Sequence, residues 1–305
     1  MNTGLLFPGQ GSQKAGMLDD LVQHPAADES LRDMSETLGF DIRATMSEKA
    51  LQSTAAVQLA LLAAGVATAR ALIESGLQPI AVAGLSVGAF SAAVAAGAIS
   101  LTDATRLVHS RATQMEKMYP AGYGLAAIVG LNEAQVIRLV DGVIDEAPAV
   151  FVANINAPRQ IVIAGHIQSL RQVLEKALRS GARKAELLPV TVPSHCSLLQ
   201  AVADSLREQL QSISMRDPKI VYISNVNGRA VRKAAGVAKD LADNIAHGVR
   251  WHDMTTVARE LGCELLLEAP PGHVLSDLVE ENLSNVLARP ITRKNFDALL
   301  RFARH

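Results

Sequence analysis

The run from Ile80 to Gly97 limits what this chain can fold into more than any other stretch. Ile80–Ala83 is short, apolar and suited to a buried strand. Gly84-Leu85-Ser86-Val87-Gly88 follows at once, and a small-residue segment then runs through Ala96 and stops near Gly97. Gly-x-Ser-x-Gly between a strand and a helix is the nucleophile-elbow pattern: a strained turn lifts the serine hydroxyl out of the sheet and aims a helix N-terminus at it. The flanking glycines let the two backbones cross where a Cβ would collide. A chemically idle strand-to-helix turn could use the same five residues. The strand before Ser86 and the alanine-rich helix after it are what make Ser86 a candidate nucleophile.

Composition narrows the setting. The chain has 305 residues, enough for one large core or a core with an inserted domain. Hydrophobic residues make up 49% and aromatics only 3%, so the core is aliphatic and favours helices packed on a buried sheet. A formal net charge of −1 removes any whole-protein argument for binding nucleic acid or an anionic membrane. Two cysteines, Cys196 and Cys263, make neither a disulfide framework nor a metal-ligand cluster. The N-terminal segment Met1–Pro8 lacks the basic and long apolar regions of a signal peptide, and no uninterrupted apolar stretch reads as a membrane span. The expectation is a cytoplasmic protein.

Patterning places elements along the chain. Leu5–Phe7 reads as a strand ending in the flexible loop Gly9-Gln10-Gly11-Ser12-Gln13. Helices are expected over Ala26–Leu38 and Thr54–Ser75. Ser100 with Asp103 predicts a capping box that opens a helix to about Met118. Beyond Tyr119-Pro120-Ala121-Gly122 the texture changes. Gly124–Val129, Val150–Asn154, Gln160–Ala164 and Lys184–Val190 read as strands, with helices over Glu133–Asp145 and Ile167–Ser180. The order βαββαβ is that of a ferredoxin-like unit. Helices over Leu198–Leu210, Val237–Ala246 and Gly272–Leu283 follow, with strands at Val221–Ser224 and Cys263–Leu267. The predicted class is α/β: a discontinuous catalytic domain, residues 1–123 and 192–305, with a ferredoxin-like small domain inserted at 124–191.

A serine nucleophile needs a base, an oxyanion site and a cargo. Among eight histidines, His195 in Val192-Pro193-Ser194-His195-Cys196 is best placed, where a strand gives way to a helix that Ser194 is expected to cap. An ordinary helix-start histidine would look the same. Arg111 falls on the apolar stripe of its helix, one turn from Leu107 and Met115. A buried guanidinium needs an anionic partner. Either a structural Asp or Glu or the carboxylate of a substrate, gripped through two parallel hydrogen bonds, would serve. The Val87 amide is one candidate oxyanion donor, and the Gln10 region could bring a second.

Several motifs together resemble the malonyl-CoA:acyl carrier protein transacylase family. They are Phe7-Pro8-Gly9-Gln10-Gly11-Ser12-Gln13, the elbow, Arg111, Pro193-Ser194-His195-Cys196, the Ala153–Gly165 stretch, Val249-Arg250-Trp251 and Glu268–Leu275, in order over essentially the whole chain. The resemblance implies an α/β-hydrolase-like large domain with the ferredoxin-like insert. It implies Ser86 as nucleophile, His195 as base and acid, Arg111 as clamp on the malonyl carboxylate, and Gln10 with Val87 in the oxyanion site. It implies further that a backbone carbonyl, at Asn244, orients the histidine, and that Gln58 lines the site. No tightly bound cofactor is implied: coenzyme A arrives as the thioester substrate and an acyl carrier protein receives the acyl group.

Three positions depart from the family. Leu85 stands where the fatty-acid enzymes usually have His, and Ala89 where they have Glu. Pro270 also replaces a usual glycine. The form Gly-Leu-Ser-Val-Gly-Ala-Phe is more like the epsilon subunit of bacterial malonate decarboxylase, which loads a dedicated carrier subunit. The alternatives are the malonyl transacylase of fatty-acid synthesis and a serine thioesterase or esterase. For a hydrolase, the acid between Ser and His in chain order would be Asp141, Asp145 or Glu146. Arg159, Arg183 and Lys184 are candidate carrier-docking residues, since carrier proteins are generally acidic.

Overall fold

The computed structural model describes residues 1–45, 47–119, 121–142 and 149–304. Thr3–Phe7 forms β1 and Pro25–Leu38 forms α1, followed by two short 3-10 turns. Thr54–Glu74 is α2, with the Ser53 hydroxyl accepting from the Ala56 N–H at its start. The elbow region is β2 (Ala81–Gly84) and α3 (Gly88–Ala95), and α4 covers Leu101–Met118. Ser100 caps α4 as expected, but the Asp103 carboxylate takes the Ser100 hydroxyl at 2.6 Å instead of its backbone amide, so no reciprocal box forms.

The middle of the chain is β3 (Tyr123–Val129), α5 (Glu133–Asp141), β4 (Val150–Ala157), β5 (Gln160–His166), α6 (Ile167–Arg179) and β6 (Lys184–Leu187). The far end of the expected Glu133–Asp145 helix lies outside the described residues. The remainder is α7 (Gln200–Gln211), β7 (Val221–Ile223), β8 (Ala230–Val231), α8 (Ala234–Asp243), α9 (Trp251–Glu260), β9 (Leu265–Glu268), α10 (Val274–Asn282), β10 (Leu287–Pro290) and α11 (Phe296–Arg304). Of these, β8, α9, β10 and α11 were not expected from the sequence pattern.

Two sheets result. The larger has the order β10-β9-β1-β2-β7-β8, all neighbours parallel except β8, which turns back antiparallel on β7. Side chains alternate across it: Leu5, Phe7, Val82, Leu265 and Leu267 enter a core with α2, α3 and α4, while Leu6, Ala81, Ala83 and Leu266 enter a second core with α9 and α10. A parallel sheet buried on both faces therefore needs apolar residues at nearly every strand position, and β1 and β2 supply them. The smaller sheet is antiparallel with the order β4-β5-β3-β6, the ferredoxin-like arrangement. We propose that the split at 124 and 191 is a domain boundary, because the two sheets share no strand. A bridge joins the units, with Ile155 N–H donating to Val249 O and Val249 N–H to Ala153 O, both at 2.8 Å.

Helix α2 is long and apolar enough to cross a membrane by length and composition, yet 89% of its apolar window is buried inside the fold. It is the central helix of the larger core.

The register Phe7↔Gly84 sets the end of β1 beside the elbow. A Cβ on Gly88 would lie 2.2 Å from the Phe7 carbonyl oxygen, and one on Gly84 would lie 2.0 Å from that of Gly88. Neither contact is tolerable and neither neighbour is a movable side chain. Gly88→Ala should therefore cost about 3 kcal/mol or more and lower the thermal midpoint by several degrees. A midpoint within a degree of the parent chain would mean that the crossing accepts a methyl group.

Candidate active site

Ser86 sits at the carboxyl end of β2 with φ of 57°, in the left-handed region that non-glycine residues seldom occupy. Its hydroxyl oxygen is 2.9 Å from Nε2 of His195. The His195 backbone is also left-handed, with φ of 66°, and its N–H donates to the Ile245 carbonyl at 2.7 Å. This conformation corrects one expectation: Ser194 caps no helix. His195 lies in a loop, a 3-10 turn follows at Ser197–Leu199, and α7 begins only at Gln200.

The other imidazole nitrogen, Nδ1, lies 2.6 Å from the backbone carbonyl of Asn244. That carbonyl can only accept, so Nδ1 carries the proton and Nε2 is left as the acceptor for the Ser86 hydroxyl. Asn244 is wholly buried, and its side-chain amide has no protein partner among the described residues. The backbone alone does the orienting. Of the carboxylates of the hydrolase reading, Asp141 is exposed at the end of α5 and does not reach His195, and Asp145 and Glu146 lie outside the described residues.

Arg111 is wholly buried on α4, packed between Leu107 and Met115 as its spacing predicts. Its Nη1 donates to Gln58 Oε1 at 2.5 Å and its Nη2 to Ser86 Oγ at 3.2 Å. No carboxylate answers it among the described residues, and its Nε has no acceptor. Burial pulls its pKa down to about 9, still above neutrality, so the guanidinium remains charged at pH 7. Of the two partners open at the sequence level, the structural acid is thus missing. Gln58, from α2, braces the guanidinium from behind.

The cavity at this point is lined by Ser86, His195, Gln58, Gln10, Leu85 and Met115, with Leu125, Asn154 and Val190 closing it from the small-sheet side. Roomier hollows exist, such as one of about 210 Å³ beside Gly97 and Arg216, but neither Ser86 nor His195 lines it. The Val87 amide is at the N-cap of α3, where helix geometry gives it no internal acceptor. Gln10 reaches the same space because β1 ends beside the elbow. Leu85 lines the cavity, whereas Ala89 is fully buried in the core behind it. Cys196, next to the base, is a buried thiol pushed up to about 11 by desolvation, so it does not compete as a nucleophile.

The docking candidates fall elsewhere. Arg183 and Lys184 adjoin the end of β3 at Val129, and Arg159 donates to Gly130 O at 3.1 Å. Leu125, which touches the cavity, is four residues back along β3, about 13 Å at the usual strand rise. These cations gather at the end of the small sheet away from the cavity lining.

Missing from the sequence reading is Asn225, wholly buried after β7, whose Oδ1 accepts the Ser86 N–H at 2.9 Å. One asparagine in a post-strand loop carries no local signal of such a role.

His195 is pushed down to about 4, first by burial and then by the charge of Arg111, with the Asn244 carbonyl opposing in part. The folded protein thus holds the imidazole neutral, and stability from this group is complete above the ordinary value of about 6.5 and is lost as pH falls toward 4. The acid limb of kcat/KM should lie near pH 4, well below the histidine range. An anion bound on Arg111 cancels part of the cause, so the limb of kcat should lie at higher pH than that of kcat/KM. Coincident limbs near pH 6.5 would contradict both statements.

A family model described as an acyl transferase domain matches residues 5–296. The malonyl CoA-acyl carrier protein transacylase of Salmonella typhimurium is 35% identical over 289 residues, 93% of each chain. That of Bacillus subtilis is 35% identical over 281 residues, covering 90% of this chain and 89% of the relative. Among solved structures, the transacylase of Coxiella burnetii superposes with a TM-score of 0.94 at 32% identity, covering 100% of this chain and 98% of that one. A malonyl-transacylase solved in complex with a type II PKS acyl-carrier protein gives 0.94 at 33% identity, over 99% of this chain and 100% of that one. The chain is therefore a member of the malonyl CoA-acyl carrier protein transacylase family of acyl transferases.

Proposed function

We propose that this chain moves a malonyl group from malonyl-CoA to the thiol of an acyl carrier protein, through a malonyl ester on Ser86. The observation that carries the reading is Arg111: a buried cation with no counter-ion among the described residues, 3.2 Å from the nucleophile. A buried charge of this kind is costly until an anion reaches it. A malonyl ester on Oγ carries a free carboxylate two carbons from the acyl carbon, within reach of the guanidinium. The names of the relatives support the same substrate and the same class of acceptor.

The chemistry runs in two halves. The Ser86 hydroxyl gives its proton to His195 Nε2 as Oγ attacks the thioester carbonyl. The backbone amides of Val87 and Gln10 hold the oxyanion. Collapse breaks the C–S bond, and the imidazolium returns the proton to the departing sulfur of coenzyme A. The carrier thiol then enters, His195 takes its proton, sulfur attacks the ester, and Oγ leaves protonated. Each proton transfer or oxyanion contact is worth roughly 10²–10⁴-fold. On entry of the malonyl group, Arg111 exchanges its contact with Oγ for the carboxylate, which also frees Oγ to attack.

The relatives favour a transacylase of the general kind over the malonate decarboxylase epsilon subunit suggested by Leu85 and Ala89. Only Leu85 of these two borders the substrate space. Transfer measured side by side to a fatty-acid carrier and to a malonate decarboxylase carrier separates the two, and the faster acceptor names the role.

Incubation with malonyl-CoA should leave a malonyl adduct on Ser86 that persists until carrier is added. Rapid release of free malonate instead would favour the thioesterase. Arg111→Ala should lower kcat/KM for malonyl-CoA by 10²-fold or more while sparing or raising that for acetyl-CoA. Unchanged malonyl preference would remove the clamp.

A further inference from the structure

The strained backbone of Ser86 is held by a chain of hydrogen bonds that ends on a buried acid. The Ser86 N–H donates to Asn225 Oδ1 at 2.9 Å. The other end of that amide, Nδ2, faces Asp240 Oδ2 at 3.4 Å, and the Asn225 backbone N–H donates to the same oxygen at 3.1 Å. Only this orientation of the amide matches donor to acceptor at both ends. Asp240, on α8 and 3% exposed, also accepts from the Tyr222 and Ser224 hydroxyls, each at 2.6 Å, and from the Val226 N–H at 3.1 Å. Its two oxygens gather five donors, none of them from a Lys or Arg.

An acid buried among neutral donors is an expensive way to tie a loop, because each donor could be satisfied by an uncharged acceptor. What the carboxylate adds is direction: with acceptors only, it forces the NH₂ of Asn225 toward itself and hence the amide oxygen toward Ser86. One helical turn later, the Asn244 N–H donates to the Asp240 carbonyl at 2.9 Å, and the Asn244 carbonyl holds His195 at 2.6 Å. A single stretch of α8 therefore sets the backbone of the nucleophile and the ring of the base.

We propose that Asp240 is a positioning residue for Ser86, acting through Asn225 to hold the nucleophile's amide and so its Oγ in line with His195. Mutual placement of reacting groups is steep in its effect, and a displacement of 1 Å can cost about 10²-fold. The proposal rests on the transferase reading only for one of its two assays. The other, covalent labelling of Ser86 by a fluorophosphonate, reads the nucleophile without any malonyl group.

Asp240→Asn keeps the shape of the side chain and removes its acceptor-only character. Assayed well below its thermal midpoint, it should lose about 10- to 100-fold in kcat, with KM for malonyl-CoA within about two-fold of the parent, and label more slowly by a similar factor. Asn225→Ala should behave alike, and the double variant should be no slower than Asn225→Ala alone, since both act on one path. If Asp240→Asn does not fold, Asp240→Glu, which keeps the charge and displaces the carboxylate by a methylene, is read the same way. A lowered midpoint with parental kcat and labelling would make Asp240 a structural anchor only. Losses that multiply in the double variant would show that it does not act through Asn225. Either result overturns the proposal. A parent chain that labels on Ser86 but transfers no malonyl would refute the function proposed above, and the labelling rates would still decide the role of Asp240.

Discussion

A guanidinium with no exposed surface, answered by a glutamine oxygen and a serine hydroxyl but by no acid among the described residues, is the arrangement around which the site is organised. Keeping a cation in that position requires a helix packed firmly enough to deny Arg111 any path to water. Helices α2 and α4 provide it, with Gln58 on one and Arg111 on the other. The same charge lowers the affinity of His195 for a proton, which keeps the base free at neutral pH. Arg111 thus acts on the chemistry twice, once as a place for an anion and once as a field on the imidazole.

Both members of the Ser–His pair hold left-handed backbones, which ordinary residues adopt only when their surroundings leave no alternative. For Ser86 the surroundings are the Phe7–Gly88 crossing and the Asn225 amide. For His195 they are the carbonyls of Ile245 and Asn244. The familiar third member of such a triad, an acid on the histidine, is replaced by a main-chain oxygen. The buried acid of this site stands on the serine's side instead.

What could be read from the sequence had local causes. The elbow needs glycines at fixed spacing, Arg111 interrupts an apolar stripe, and Ser100 precedes one; each is visible within a turn or two of chain. Helix α11 also has a local cause, with Phe296, Leu300 and Ala303 on one buried face. Other features had no local trace. Asp240 shares a helix face with Val237 and Leu241, but its partners Tyr222 and Ser224 come to it only through the sheet. Asn244 contributes a carbonyl that any residue would have, so its side chain says nothing of its role; only the family resemblance marked it. Ser194 misled because a proline and a serine before a helix suggest a cap, whereas the left-handed turn at His195 delays the helix to Gln200.

The nucleophile and the base are 109 residues apart in the chain, and the base lies 49 residues before the carbonyl that orients it. Three separate stretches must therefore close on one another before a proton can move from Oγ to the ring. A nascent chain that has not yet released its last third owns a serine and a histidine but no working pair. The catalytic pair is thus a property of the closed fold and of no single segment of the chain.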